Sequence, residues 1–187
     1  IAFATRYSRY LQRLVSANPA VLSVGELEQP FTTAEMAVAL SAMSIRDDAS
    51  LGRALRRLRQ RVMARLIARD LGGRASLDEV VSAVTRLAEI SIRTAVVQLH
   101  KDLAAIHGEP RGATDGTAQQ LHVVGMGKLG GAELNASSDI DLVLVYPEEG
   151  DTDGTRSLSN HEFFTRLARR LIGALSEWTE DGFVFRV

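Results

Sequence analysis

Eight residues, Gly131 to Ser138, separate Gly130 from Asp139, and this short interval decides how the second half of the chain can fold. It lies between two apolar runs that read as strands, Leu121–Gly125 and Asp139–Tyr146. A parallel pair would need a crossover of about a dozen residues, normally helical. The interval instead contains Asn135-Ala136-Ser137-Ser138, whose short polar side chains compete for backbone hydrogen bonds and disfavour a helix. An antiparallel pair with a tight connection is therefore expected. The same count rejects Gly125-x-Gly127-x-x-Gly130 as a dinucleotide-binding fingerprint, which needs a βαβ unit, despite the placing of Glu148 as a ribose-binding acid. A P-loop is excluded because Gly-x-x-x-x-Gly-Lys-[Ser/Thr] does not occur.

The interval runs into Asp139-Ile140-Asp141. Successive side chains on a strand point to opposite faces, so the two carboxylates share one face and Ile140 enters the core. Carboxylates this close repel, and a bound cation relieves the repulsion. Their hard oxygens suit Mg²⁺, so Asp139 and Asp141 are the candidate metal ligands and catalytic residues. Upstream, Gly127, Lys128, Gly130 and Gly131 form a glycine-rich turn with one cation. Glycine lets backbone approach a phosphate closely, and lysine adds a point charge. Ser137 and Ser138 are candidates for phosphate contact or for an ordinary turn role. Glu133 reads as support for the ligands or as a solvated turn residue. Metal, phosphate and a carboxylate pair together suggest nucleotidyl or phosphoryl transfer. The four histidines show no ligand spacing and are assigned no catalytic role.

The first half reads as helices around an all-α core. Phe3, Tyr7, Tyr10, Leu11 and Leu14 have helical spacing, ended by Asn18-Pro19. Thr32-x-x-Glu35 is a capping-box pattern that opens a helix to about Ile45. Leu55, Leu58, Val62 and Leu66 mark a helix between about Ala49 and Leu71, stopped by Gly72-Gly73. Ser76-x-x-Glu79 opens a long helix carrying Val80, Val84, Leu87, Ser91, Ala95, Leu99 and Leu103, to about His107-Gly108. Residues 108–119 and 148–156 are rich in Gly, Asp and Thr and read as loops. Ser159-x-x-Glu162 opens a last helix with Phe163, Leu167, Leu171, Leu175 and Trp178 on its stripe. Asp181-Gly182 is a turn, and Phe183–Val187 alternates as a third strand. Alternation puts Val184 and Arg186 on one face, so Arg186 would approach the carboxylate pair if that face carried a further metal ligand and the strand paired beside Asp139–Tyr146. The fold class is thus α+β: a helical region over 1–110, then a core over 111–187 with a small mixed or antiparallel sheet flanked by helices.

Composition excludes several classes. There is no Cys, so neither disulfides nor a thiolate metal site can form, which fits a reducing cytoplasm. No apolar run reaches membrane-spanning length, and no membrane association is expected. The net charge of −1 argues against a nucleic-acid partner. Eight arginines fall between Arg53 and Arg74, and they read either as a solvated helix face or as a docking surface for an acidic partner.

Gly127-x₁₁-Asp139-x-Asp141 resembles the signature of the polymerase-β-like nucleotidyltransferase superfamily. The longer stretch Gly125 to Leu142 resembles the bacterial glutamine synthetase adenylyltransferase/deadenylylase family. So do Leu55–Leu66, Asn160–Ile172 and Asp181–Val187, so the likeness covers most of the chain from about residue 50. That family carries two nucleotidyltransferase domains, one removing AMP from a glutamine synthetase tyrosine by phosphorolysis, the other attaching AMP from ATP. Glu133-Leu134-Asn135-x-Ser137-Ser138 is similar to the N-terminal, AMP-removing domain.

The resemblance implies an enzyme using Mg²⁺, in two ions, at Asp139 and Asp141. Orthophosphate and ADP or ATP would be substrates or products, held by Gly127, Lys128, Gly130, Gly131 and Ser138. It implies glutamine synthetase and a PII-type nitrogen-signalling protein as partners. The family's third carboxylate follows the Phe-Val-Phe-Arg-Val strand, so the 111–187 unit is expected to be truncated at its C-terminal end. The alternatives are the ATP-dependent adenylylating domain, a related uridylyltransferase, or a catalytically idle docking module.

Overall fold

The computed structural model describes residues 1–187. Its helices are α1 (Ala2–Tyr7), α2 (Arg9–Ala17), α3 (Thr33–Ser41), α4 (Asp48–Leu71), α5 (Leu77–His107), α6 (Gly127–Gly130) and α7 (Asn160–Ser176). The strands β1 (His122–Gly125) and β2 (Leu142–Val145) flank α6. The fold is α+β, and no helix is long and apolar enough to cross a membrane.

The helices begin where side chains satisfy their first N–H groups. Thr32 and Glu35 form a reciprocal box: the Glu35 N–H donates to Thr32 Oγ1 (3.2 Å), and the Thr32 N–H donates to Glu35 Oε2 (2.7 Å). Ser76 and Ser159 accept from the N–H groups of Glu79 and Glu162, but neither glutamate reaches back. Glu79 is turned to Arg69 and Glu162 to Arg166, because a guanidinium offers a charged, forked donor. The expected first helix is two. Ser8 sits in extended backbone and caps Leu11 through its hydroxyl, which breaks the run and leaves Phe3 and Tyr7 exposed.

The core lies between α4, α5 and α7, with α3 and the inner sheet face against it. Leu55, Leu58, Val62 and Leu66 on α4 are buried, as are Leu87, Ala95, Leu99 and Leu103 on α5 and Phe163, Leu167, Leu171 and Leu175 on α7. Each large side chain removed from water stabilises the fold by roughly 1.5–3 kcal/mol before entropy is counted. The expected stripe overreached at Trp178, which lies past the end of α7 and is 75% exposed. Arg170 ties α7 to α4 and α5, donating from Nε to Asp48 Oδ2 (2.8 Å) and lying 3.6 Å from Asp102 Oδ2.

The basic stretch on α4 is not a uniform solvated face. Arg56, Arg65 and Arg69 are buried, while Arg53 and Arg57 are exposed. Arg65 donates to the Gln29 carbonyl (2.8 Å) and to Glu35 (3.1 Å), and lies over the Phe31 ring. Periodicity alone does not separate these arginines from exposed ones, because their partners are distant in sequence.

β1 and β2 are antiparallel, with His122 opposite Val145 and Gly125 opposite Leu142. Val123, Leu142, Leu144 and Tyr146 face the core, and Val124, Val143 and Val145 form an open outer face. The two Gly-rich stretches read as loops hold each other through the isolated bridge Pro110 to Thr152 and the Arg111 N–H donating to the Asp151 carbonyl (3.1 Å). Gly108 ends α5 with φ +84°, and a Cβ there would lie 2.1 Å from the Gly154 nitrogen, so no other residue fits. Asn160, buried at the start of α7, donates its amide to the carbonyls of Arg111 (2.8 Å) and Glu148 (3.0 Å).

Phe183–Val187 does not form the expected strand. The N–H groups of Val184 and Phe185 both donate to the Leu175 carbonyl (2.9 and 3.0 Å), which folds the segment onto the end of α7. Val184 and Phe185 are consequently both buried, and strict alternation is lost. The segment does run beside Asp139: the Ile140 N–H donates to the Arg186 carbonyl (2.9 Å).

Candidate active site

The carboxylate pair precedes β2 rather than lying in it, since the strand begins at Leu142. The ladder nevertheless continues one step, because the Met126 N–H donates to the Asp141 carbonyl (2.8 Å). Pleating then sets the directions. Ile140 is 1% exposed and sits in the core, while Asp139 and Asp141 project on the open side with Val143 and Val145. The expected division of these three residues between core and solvent is what the structure shows.

The connection from β1 turns at Gly127, whose φ is +52°, and coils into the single turn α6. Backbone passes close to the pair here: a Cβ on Gly127 would lie 3.7 Å from Asp141 Oδ2. The N–H groups of Gly127 and Lys128 have no acceptor in the chain, and the Lys128 side chain is exposed without an ion pair. Gly130 has a packing requirement of its own, since a Cβ there would meet the Gly125 carbonyl oxygen at 2.6 Å. Gly131 is open, its nearest neighbour to such a Cβ being 3.6 Å away.

The rest of the connection is organised by Asn135. Its Oδ1 accepts from the N–H and the hydroxyl of Ser137, both at 3.1 Å. Ser138 closes the same turn, its N–H donating to the Asn135 carbonyl (3.1 Å) while its Oγ accepts from the Asn135 N–H (3.2 Å). The Ser138 hydroxyl is thus engaged in the turn that delivers Asp139. Leu134 anchors the turn from below: it is fully buried, and its N–H donates to Thr85 Oγ1 on α5 (3.4 Å). Sequence reasoning missed both Leu134 and Thr85. The available signal was one large apolar residue, flanked by Glu133 and Asn135, in a connection otherwise made of small and polar residues.

Arg186 reaches the pair. Its Nε lies 2.5 Å from Asp139 Oδ1, and its Nη2 donates to the Ser137 carbonyl (3.1 Å). Asp141 has no cationic partner within 4.0 Å. No group of three His, Cys, Asp or Glu side chains converges anywhere in the chain, so the candidate metal site has two carboxylates. The donor set fits Mg²⁺, which binds through one or two carboxylates and keeps several waters. The histidines lie elsewhere: His100 is beside Glu109 (2.8 Å) and His107 Nδ1 meets the Arg156 carbonyl (2.8 Å).

Comparison with known proteins matches the chain to named relatives. A bifunctional glutamine synthetase adenylyltransferase/adenylyl-removing enzyme of Nitrosomonas europaea is 49% identical over 193 residues, covering 100% of this chain and 21% of the relative. The protein of the same name from Ralstonia nicotianae is 48% identical over 194 residues, covering 100% of this chain and 20% of its own length. That from Bordetella pertussis is 58% identical over 132 residues, 71% of this chain and 14% of the relative. The chain therefore spans about a fifth of the length of the curated relatives that it matches end to end. Since the family model for glutamate-ammonia ligase adenylyltransferase also matches all of residues 1–187, the chain belongs to that family.

Proposed function

We propose that this segment is a nucleotidyltransferase unit that removes AMP from the adenylylated tyrosine of glutamine synthetase by Mg²⁺-dependent phosphorolysis, releasing ADP. The observation that carries this reading is the carboxylate pair raised on an open face by the buried Ile140, with the Gly127 backbone against Asp141. The relatives are named for both attaching and removing AMP. The choice of removal rests on Glu133-Leu134-Asn135-x-Ser137-Ser138, the AMP-removing type of connection, in which Asn135 and Ser138 shape the turn before Asp139.

In the proposed reaction an oxygen of orthophosphate attacks the phosphorus of the tyrosyl–AMP linkage. A new P–O bond gives ADP as the phosphorus–phenolate bond breaks. Asp139 and Asp141 would hold two Mg²⁺ ions, which when bound supply charge neutralisation on the attacking and leaving oxygens. The free N–H groups of Gly127 and Lys128, with the Lys128 ammonium, bind phosphate oxygens. The leaving phenolate has a conjugate acid of pKa about 10, so positioning and charge neutralisation weigh more than proton donation. Ser138 acts through the turn, and Gly130 through its close approach to Gly125. A PII-type signalling protein is the proposed regulator.

The test uses the natural protein containing this segment. With adenylylated glutamine synthetase and orthophosphate, ADP should form, and Asp141→Asn should stop it. Should Asp141→Asn instead stop ATP-dependent adenylylation and leave phosphorolysis intact, the segment is the attaching unit.

A further inference from the structure

We propose that Arg186 is a built-in counter-cation of the carboxylate pair. It holds Asp139 while the site is free of metal, and it turns to an anionic phosphoryl group when metal takes the pair. The inference rests on the reading of Asp139 and Asp141 as metal ligands and adds a regulation of that site.

Three observations support it. First, the pair is asymmetric: the Arg186 Nε lies 2.5 Å from Asp139 Oδ1, whereas Asp141 has no cation within reach. A dication that uses both carboxylates must share Asp139 with a guanidinium that cannot lose its proton. Second, the Arg186 backbone is fixed while its side chain is exposed. Its carbonyl accepts from the Ile140 N–H, and the preceding Val184 and Phe185 are buried and tied to Leu175. The side chains of Arg186 and Asp139 are 62% and 60% exposed, so the pair is hydrated and exchangeable. Third, the planar fork of arginine matches phosphate oxygens in pairs, whereas here it approaches Asp139 through Nε and gives Nη2 to the Ser137 carbonyl. Displacement by metal therefore frees the Nε donor beside the pair while Nη2 keeps the Ser137 carbonyl.

This arrangement couples metal and anion. Metal binding is weakened by Arg186 when no anion is present, and phosphate should relieve that by giving the guanidinium another partner. By reciprocity, metal should strengthen phosphate binding by the same factor.

The test is Mn²⁺ binding to the natural full-length protein, followed by electron paramagnetic resonance with and without orthophosphate. The signal of interest is the part lost in Asp141→Asn, so that metal bound elsewhere cancels. Arg186→Gln is expected to bind this Mn²⁺ roughly two- to five-fold more tightly than wild type without phosphate, the range that an exposed ion pair sustains. Phosphate should tighten Mn²⁺ binding in the wild type and not in Arg186→Gln, and Arg186→Lys should fall between them. If Asp141→Asn removes Mn²⁺ while Arg186→Gln leaves affinity and phosphate coupling at wild-type values, the Arg186 proposal fails and the metal reading stands. If Asp141→Asn removes no Mn²⁺, both fail. Circular dichroism of Arg186→Gln separates a misfolded variant from a true loss, and Arg186→Lys then carries the test.

Discussion

Arg69 holds Glu79 through two parallel hydrogen bonds, Nε to Oε1 at 2.6 Å and Nη2 to Oε2 at 2.9 Å, joining the last turn of α4 to the first turn of α5. Both side chains are largely buried, and Arg69 also donates to the Leu27 carbonyl (2.6 Å). The carboxylate pushes the Arg69 pKa up, so the charge persists at every accessible pH. Glu79→Ala would leave this guanidinium buried without its counter-ion. We expect a loss of about 3–5 kcal/mol, read as a fall in the urea midpoint at unchanged m-value. A loss below about 1 kcal/mol would show that water replaces the carboxylate freely.

Stability should depend on pH on the acid side. The Thr32 N–H, with its hydroxyl and Arg65, holds the Glu35 carboxyl below its usual range. A depressed folded-state pKa stabilises above the unfolded value, and the contribution disappears as pH falls through the folded value. The urea midpoint should therefore drop as pH is lowered below about 4.5. Glu35→Gln should flatten that slope, and an identical slope in the variant would remove Glu35 from the account.

Asp139→Asn and Asp141→Asn should each slow AMP removal by the full-length protein roughly a hundred- to ten-thousand-fold, the rate equivalent of several kcal/mol of charge stabilisation. Urea midpoints should stay near wild type, since both side chains are exposed. Near-normal turnover in both variants would exclude the pair as the catalytic centre.

Gly130→Ala places a methyl group 2.6 Å from the Gly125 carbonyl oxygen, and backbone cannot yield cheaply there. The connection before Asp139 should shift, lowering AMP removal at least tenfold, a cost of about 1.4 kcal/mol in the transition state. Gly131→Ala is the matched control and should cost little: its N–H is engaged by the Gly127 carbonyl (3.0 Å) rather than free for phosphate, and its neighbours stand at 3.6 Å or beyond.

The architecture was legible where periodicity and chain length spoke together. The stripe Leu55, Leu58, Val62 and Leu66 became core, and the short Gly131–Ser138 interval produced an antiparallel β1–β2 pair. It was not legible where a distant partner decides the outcome. Nothing local marks Arg69 as buried, because Glu79 and Leu27 reach it only in the folded chain. Nor does the alternation of Phe183–Val187 reveal that the Leu175 carbonyl draws in two successive N–H groups. At the site, the opposed directions of Ile140 and its flanking aspartates follow from pleating alone. The anchoring of the turn by Leu134 and Thr85 needs the third dimension.

Ile140 gives the carboxylates an apolar datum. Its side chain is set among close-packed neighbours, so the heights of Asp139 and Asp141 above the sheet are referred to the interior rather than to the loop that carries them. The proposed ligand positions are thereby tied to the interior on which Ile140 packs. An enlarged or shrunken side chain at 140 would misalign both oxygen donors at once, so a purely hydrophobic substitution there should behave as an active-site lesion.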